Sequence, residues 1–153
     1  MKKYIIGVII GVLSLGLGLG TLQAQNKVTK DQLETQAHRI NKEVDKANAM
    51  KLALQRISTE TGVPIDRVQA MHKDHPDIGP AGVLIANVLA DNTKKPPEDF
   101  MKKHASGKGW AALARDNNVP LDKLQTRLDH LEAAVAPGAT QPGNANKHNR
   151  QKS

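Results

Sequence analysis

The sequence contains no cysteine and few aromatic side chains: one Trp, one Tyr and one Phe among 153 residues. The absence of cysteine excludes a disulfide framework, a thiol nucleophile and thiolate metal ligands. Beyond residue 25 the only aromatic residues are Phe100 and Trp110. A folded core therefore has to be built mostly from Leu, Ile, Val, Ala and Met.

The first 24 residues have the features of a secretory signal peptide. Lys2 and Lys3 precede an uncharged stretch over residues 4–22, and Ala24 is a small residue just before the expected cleavage site at Gln25. An uncleaved membrane anchor is the alternative, because this stretch approaches the roughly 20 residues that span a bilayer. In the first case we expect a periplasmic or secreted protein, and in the second a domain anchored by its N-terminal segment.

The charge distribution gives little support for a nucleic-acid partner. The formal net charge is +7, but five of the basic residues lie in the first three or last seven positions. Residues 25–135 carry 17 basic and 15 acidic side chains, which alternate along the chain. This pattern is typical of a mixed, solvated surface rather than a phosphate-binding face.

A long amphipathic helix is predicted within residues 25–60. Thr29 and Gln32 match a capping box at its start. Apolar residues then recur at helical spacing and form one stripe: Leu33, Ala37, Ile40, Val44, Ala47 and Leu54. We expect this stripe to pack on its own domain, and a homo-oligomer formed through residues 33–54 is the alternative.

A self-repeat predicts the rest of the architecture. Residues 57–69, Ile-Ser-Thr-Glu-Thr-Gly-Val-Pro-Ile-Asp-Arg-Val-Gln, recur at 113–125 as Leu-Ala-Arg-Asp-Asn-Asn-Val-Pro-Leu-Asp-Lys-Leu-Gln. In both copies Val-Pro separates two helices. A looser third copy over residues 86–100 is predicted to have one residue inserted in its turn. We therefore expect an all-α fold, a small bundle of helix-turn-helix repeats over residues 61–135, followed by a disordered basic tail over residues 136–153.

Two segments of the repeat region resemble a group of small exported bacterial proteins of unknown function. They are Ile85-Ala86-Asn87-Val88-Leu89-Ala90 and Gly107-Lys108-Gly109-Trp110. The resemblance covers about residues 57–124 and implies an exported all-helical domain, but it implies no catalytic or binding residues. Such proteins tend to have glycine before the valine of the last turn, where this chain has Asn118. Asparagine tolerates the left-handed conformation, so we expect the turn to be kept.

The strongest candidate for a chemical site is a group of four potential metal ligands within six residues: His72, Asp74, His75 and Asp77. A solvated turn with capping carboxylates has the same composition. Trp110 is expected in the core. If it were instead exposed beside Lys108, the two residues would be the best candidates for binding a protein partner.

The sequence favours an interaction role over catalysis. It places no nucleophile beside a base and no paired carboxylates in a cleft, so we expect no enzyme activity and no cofactor. The leading hypothesis is an exported interaction or scaffold module with a protein partner in the cell envelope. Metal or small-anion binding by the 72–77 loop is one alternative. The other is nucleic-acid binding through helix-turn-helix-like turns, with Arg67, Gln69, Lys123 and Gln125 as candidate contacts.

Overall fold

The computed structural model describes residues 29–139, and in this part of the chain every secondary-structure element is a helix, with no strand. The all-α prediction is confirmed. The seven helices are α1 (Lys30–Lys46), α2 (Met50–Thr61), α3 (Ile65–Asp74), α4 (Gly79–Thr93), α5 (Pro97–Ala105), α6 (Trp110–Asp116) and α7 (Leu121–Val135). None of these helices is long and apolar enough to cross a membrane. The predicted signal peptide and residues 140–153 of the predicted tail lie outside the described residues.

Two helices occupy the described part of the segment for which one long helix is predicted. The predicted capping box is present: Thr29 Oγ1 accepts from the N–H of Gln32 at 3.3 Å, and Gln32 Oε1 accepts from the N–H of Thr29 at 2.8 Å. Helix α1 then ends at Lys46, and Asn48 takes a positive φ of 50° before α2 begins. Consequently Ala47, predicted in the apolar stripe, is exposed.

The apolar stripe of α1 packs into the chain's own domain. Four of its predicted members are buried: Leu33, Ala37, Ile40 and Val44. They join one hydrophobic core with residues of the other helices. Self-association through this stripe would therefore require α1 to leave the domain.

The remaining helices follow one another in pairs that share a turn geometry. In each pair a residue with positive φ stands two residues before a proline, and that proline is the N-cap of the second helix. These positions are Gly62 and Pro64 between α2 and α3, Lys94 and Pro96 between α4 and α5, and Asn118 and Pro120 between α6 and α7. The three turns have equal length. The predicted insertion in the second turn is therefore wrong, because Pro96, rather than Pro97, is equivalent to Pro64.

A polar side chain before each turn also has the same role in all three pairs. It donates a hydrogen bond to the carbonyl four residues earlier. The donors and acceptors are Thr61 and Ile57 at 2.7 Å, Thr93 and Leu89 at 2.7 Å, and Asn117 and Leu113 at 2.8 Å. Carbonyls in the last turn of a helix are partly free to accept such bonds. The repeat therefore encodes a helix ending as well as a turn.

Helix α4 occupies the centre of the domain. It contacts α1, α2, α3, α5 and α7, and its residues 80–89 are all buried. Close packing at its start requires Gly82, because a Cβ there would overlap the Ile78 side chain and lie 3.0 Å from Trp110 Cζ2. A helix buried on nearly all sides needs apolar residues around its whole circumference, which explains the run of Val, Leu, Ile and Ala.

Side chains of α1 also cap two other helices. Neither α4 nor α6 has a side-chain cap from its own N-cap residue. Instead, Asn41 Oδ1 accepts from the N–H of Ala81 at 2.9 Å, while its Nδ2 donates to the carbonyl of Ile78 at 3.1 Å. Glu34 Oε1 accepts from the N–H of Ala111 at 3.4 Å. Helix α1 thereby helps to fix where α4 and α6 begin.

Candidate functional site

The four predicted metal ligands lie at the end of α3 and in the turn after it. His72 and Asp74 belong to α3, and His75 is its C-cap. Residues two apart on a helix are separated by about 200° around its axis, so His72 and Asp74 lie on different sides of α3. Within residues 29–139, no group of three or more His, Asp or Glu side chains is arranged to hold a metal ion. The fold therefore does not bring these four residues together.

Trp110 lies in the core rather than at the surface. It is only 2% exposed, and its ring stacks on that of His104 with centroids 4.0 Å apart. His104 Nδ1 donates to the carbonyl of Lys108 at 3.1 Å, and the Lys108 ammonium pairs with Asp116. These contacts fix the loop before α6. They also leave Trp110 unavailable as an exposed anchor for a partner.

The candidate DNA contacts are partly engaged within the domain. Arg67 on α3 pairs with Glu98 on α5 at 2.9 Å. Lys123 on α7 donates to Asn92 on α4 at 2.7 Å. Arg67 and Lys123 occupy equivalent positions in the repeat, so this position links neighbouring pairs of helices.

A polar groove of about 400 Å³ lies between α1 and α7. Six polar residues line it: Gln32, Thr35, Gln36 and Arg39 from α1, with Gln125 and Asp129 from α7. On α1 the spacing is i, i+3, i+4 and i+7, and on α7 it is i and i+4, so each set occupies one helix face. The groove is thus formed by two polar faces that meet in the folded domain.

Gln36 is the most buried member of the groove, with 7% of its surface exposed. Its Nε2 donates to Asp129 Oδ1 at 2.6 Å and to Glu132 Oε2 at 3.3 Å. The amide nitrogen must face these carboxylates, because an amide oxygen there would be repelled. Gln36 Oε1 is consequently turned away from them, and it is buried with no hydrogen-bond partner within the described residues. Such an unsatisfied group costs about 1–3 kcal/mol.

The groove and its edge carry more negative than positive charge. Arg39 pairs with Glu132 at 2.9 Å. In the described part of the chain, Asp129 forms no ion pair and accepts from Gln36 alone. The carboxylate of Asp129 is therefore the local charge that is not neutralised.

A second charged cluster links α2 to α7 and is centred on Glu60. The Glu60 side chain is 7% exposed and lies beside three basic groups: Arg56 at 2.7 Å, His130 at 3.1 Å, and Arg127. Burial alone would raise the pKa of Glu60. Hydrogen bonds from Arg127 and His130, with the charge of Arg56, outweigh burial and lower this pKa from its ordinary value of 4.5. Because the charge of Glu60 is paired with basic groups on both α2 and α7, the cluster has the character of a link between helices.

Sequence reasoning did not identify Gln36 or Asp129 as site residues. The available signal was the placement of four polar residues at helical spacing on α1, which alone is also typical of a solvated helix face. No protein-family model, no curated protein and no solved structure matches this chain. The candidate function therefore depends on the sequence features and on the geometry of the groove.

Proposed function

We propose that this protein is an exported helical binding module and that the groove between α1 and α7 is its contact surface for a component of the cell envelope. The N-terminal sequence supports export, since it has the charge pattern and small residue of a secretory signal. The observation that carries the binding proposal is the polar lining of the groove. All six side chains of this lining except Gln36 are at least partly exposed.

Several features favour this groove over the other surfaces considered. It has the volume of a ligand site, and its polar groups come from two rigid helices. Trp110, by contrast, is buried. The basic groups around Glu60 are paired with a carboxylate of the same domain. The groove thus offers polar groups that a partner can reach.

Export is tested by fractionating cells that express the full chain and measuring its intact mass. A periplasmic or secreted species that begins at Gln25 is expected. A membrane species that retains Met1 would instead indicate a tethered binding module. A cytoplasmic species would contradict export.

The contact surface is tested by site-specific photo-crosslinking in cells. A photo-reactive residue is placed at Thr35, which is exposed at the groove, or at Ala70, which is exposed on α3. We expect one reproducible adduct from Thr35, absent from the matched Ala70 variant. Identical adducts from both positions, or none from Thr35, would argue against the groove as the contact surface.

A further inference from the structure

We propose that a basic surface formed by α5, α6 and the residues around them docks the domain on an anionic lipid bilayer. Five exposed basic residues make up this α5–α6 basic surface: Lys95, Lys102, Lys103, Lys108 and Arg115. None of the five lines the groove between α1 and α7. The inference therefore goes beyond the contact proposed at that groove and does not depend on it.

Positive charge is concentrated in this part of the domain. Residues 29–139 carry 16 basic and 15 acidic side chains, so the described chain as a whole is close to neutral. Between residues 100 and 115, however, there are four basic residues and no acidic one. Glu98, shortly before this stretch, is already paired with Arg67 of α3 at 2.9 Å. The chain therefore gathers a local positive excess that its overall charge does not show.

The cations of this surface converge on one carboxylate. The Lys108 ammonium pairs with Asp116 at the end of α6. The hydrogen bond and charge of Lys108, with the charges of Arg115 and Lys103, lower the pKa of Asp116 from its ordinary value of 3.8. These three basic residues come from the loop, from α6 and from α5. One carboxylate thus faces three cations and can balance only one of them.

The remaining members of the surface add to this excess. Lys95 Nζ donates to Asn117 Oδ1 at 2.7 Å, and a neutral amide does not cancel its charge. Lys102 forms no ion pair in the part of the chain that the structure describes. The nearby acid on α5 is Asp99, one turn before Lys102. With Asp116 it leaves five basic residues opposed by two acidic ones.

The side chains between the cations indicate the kind of partner. The large apolar residues of this segment are buried: Phe100, Met101 and Trp110. The exposed positions at 105–107 are Ala, Ser and Gly. Protein interfaces usually need large anchors, and single-stranded nucleic acids are bound by exposed aromatic rings. This surface offers charge without either feature, which favours an extended anionic surface as its partner.

The type of basic residue favours a lipid bilayer. Four of the five are lysines, whose compact, hydrated charge suits a diffuse negative potential, whereas the arginine fork suits individual phosphates. Each basic residue near an anionic bilayer strengthens binding about fivefold. The sequence over residues 136–153 contains three more basic residues and no acidic one, so it would add to the same attraction.

Energy transfer to a lipid-borne acceptor tests docking of the full chain. The chain has no cysteine, so Ala105→Cys gives one labelling site at the basic surface and Ala70→Cys gives one on α3. Energy transfer is preferable to sedimentation, because a chain retained by its N-terminal segment would sediment with any vesicle. The vesicles contain phosphatidylcholine alone or a mixture with phosphatidylglycerol. We expect stronger transfer from position 105 than from position 70 with the anionic vesicles only, and its loss at high salt.

Three variants of the labelled chain locate the contact. Lys102→Gln/Lys103→Gln removes two charges from the surface and should weaken the docking equilibrium about tenfold or more. The matched control is Lys42→Gln/Lys51→Gln, which removes the same charge from exposed positions on α1 and α2 and should weaken it less than about threefold. Asp116→Asn removes the acid among the cations and should strengthen docking about fivefold. Urea unfolding shows whether each variant keeps its fold.

Several outcomes would overturn the inference. Equal transfer from both labels, or equal transfer with neutral and anionic vesicles, would contradict docking by this surface. Equal weakening by the two double variants would assign the attraction to net charge alone. Duplex DNA that binds this surface more tightly than the vesicles do would replace the bilayer with another polyanion. The crosslinking result at Thr35 is independent, so either proposal can fail without the other.

Discussion

Replacement of Asn41 by alanine is expected to destabilise the domain by about 2 kcal/mol. The Asn41 side chain accepts from the N–H of Ala81 at 2.9 Å and donates to the carbonyl of Ile78 at 3.1 Å. Loss of an N-cap acceptor costs about 1 kcal/mol, and loss of a second hydrogen bond costs a similar amount. Both bonds connect α1 to the start of α4, the central helix. Asn41→Ala therefore removes a connection between helices as well as a local cap.

Urea unfolding monitored by the fluorescence of Trp110 measures this effect. Trp110 is the only tryptophan and is buried, so its emission reports loss of the core. Asn41→Asp is the informative control. Its carboxylate keeps the acceptor for Ala81 and suits the positive end of α4, but it loses the donor to Ile78. The second carboxylate oxygen faces the Ile78 carbonyl and offsets part of this gain, so we expect Asn41→Asp to lose somewhat less stability than Asn41→Ala. An Asn41→Ala midpoint equal to that of the wild type would refute the capping role.

A double-mutant cycle with Gly79 tests the same contact from the other side. Gly79 has a φ of +69°, and a Cβ there would overlap the side-chain amide of Asn41. Gly79→Ala in the wild type should therefore incur backbone strain of about 1–2 kcal/mol and a clash. In the Asn41→Ala background only the strain remains, so the second substitution should cost less. Strictly additive effects would show that the two residues do not touch.

Three further predictions concern other contacts. Glu60→Gln should lower stability at pH 7 by about 2 kcal/mol, since Arg127 and two other bases lose their charged partner. Because folding lowers the pKa of Glu60, the difference in stability between wild type and Glu60→Gln should shrink as the pH falls below 4.5. A difference in urea midpoints that does not change with pH would contradict this. Lys94→Gly should stabilise the domain by about 0.5–1 kcal/mol by relieving a φ of +59°, and an unchanged thermal midpoint would show no strain there. His104→Ala should lower stability by about 0.5–1.5 kcal/mol through loss of the ring stacked on Trp110, and wild-type stability and emission would contradict the stacking contribution.

Much of the fold could be predicted because its signals are local. Gly62 has the expected left-handed φ, +70°, and Asn118 adopts the same conformation at +55°. Asp66 and Asp122 lie in the first turns of α3 and α7, where a carboxylate is favourable. Each of these features depends on residues within one or two turns of the chain. A single sequence therefore contains the information needed to find them.

Predictions failed where two local patterns were equally acceptable. The consecutive prolines Pro96 and Pro97 allow two alignments of the second turn, and the N-cap geometry at Pro96 decides between them. The turn between α1 and α2 also has only a weak signal in the sequence. Asn48 has only a modest preference against a helix, yet it takes a positive φ between α1 and α2. The positive φ agrees with this weak preference, which alone is too small to predict where α1 ends.

The groove could not be predicted because neither of its faces is distinctive alone. On α1 the sequence shows polar residues beside the apolar stripe, which is the ordinary pattern of a surface helix. Gln36 becomes unusual only when α7 approaches and places Asp129, 93 residues away along the chain, at hydrogen-bond distance. That approach buries an amide whose oxygen finds no partner in the described residues. Burial of a polar group is costly unless it is compensated, so the feature that distinguishes this groove is a tertiary one.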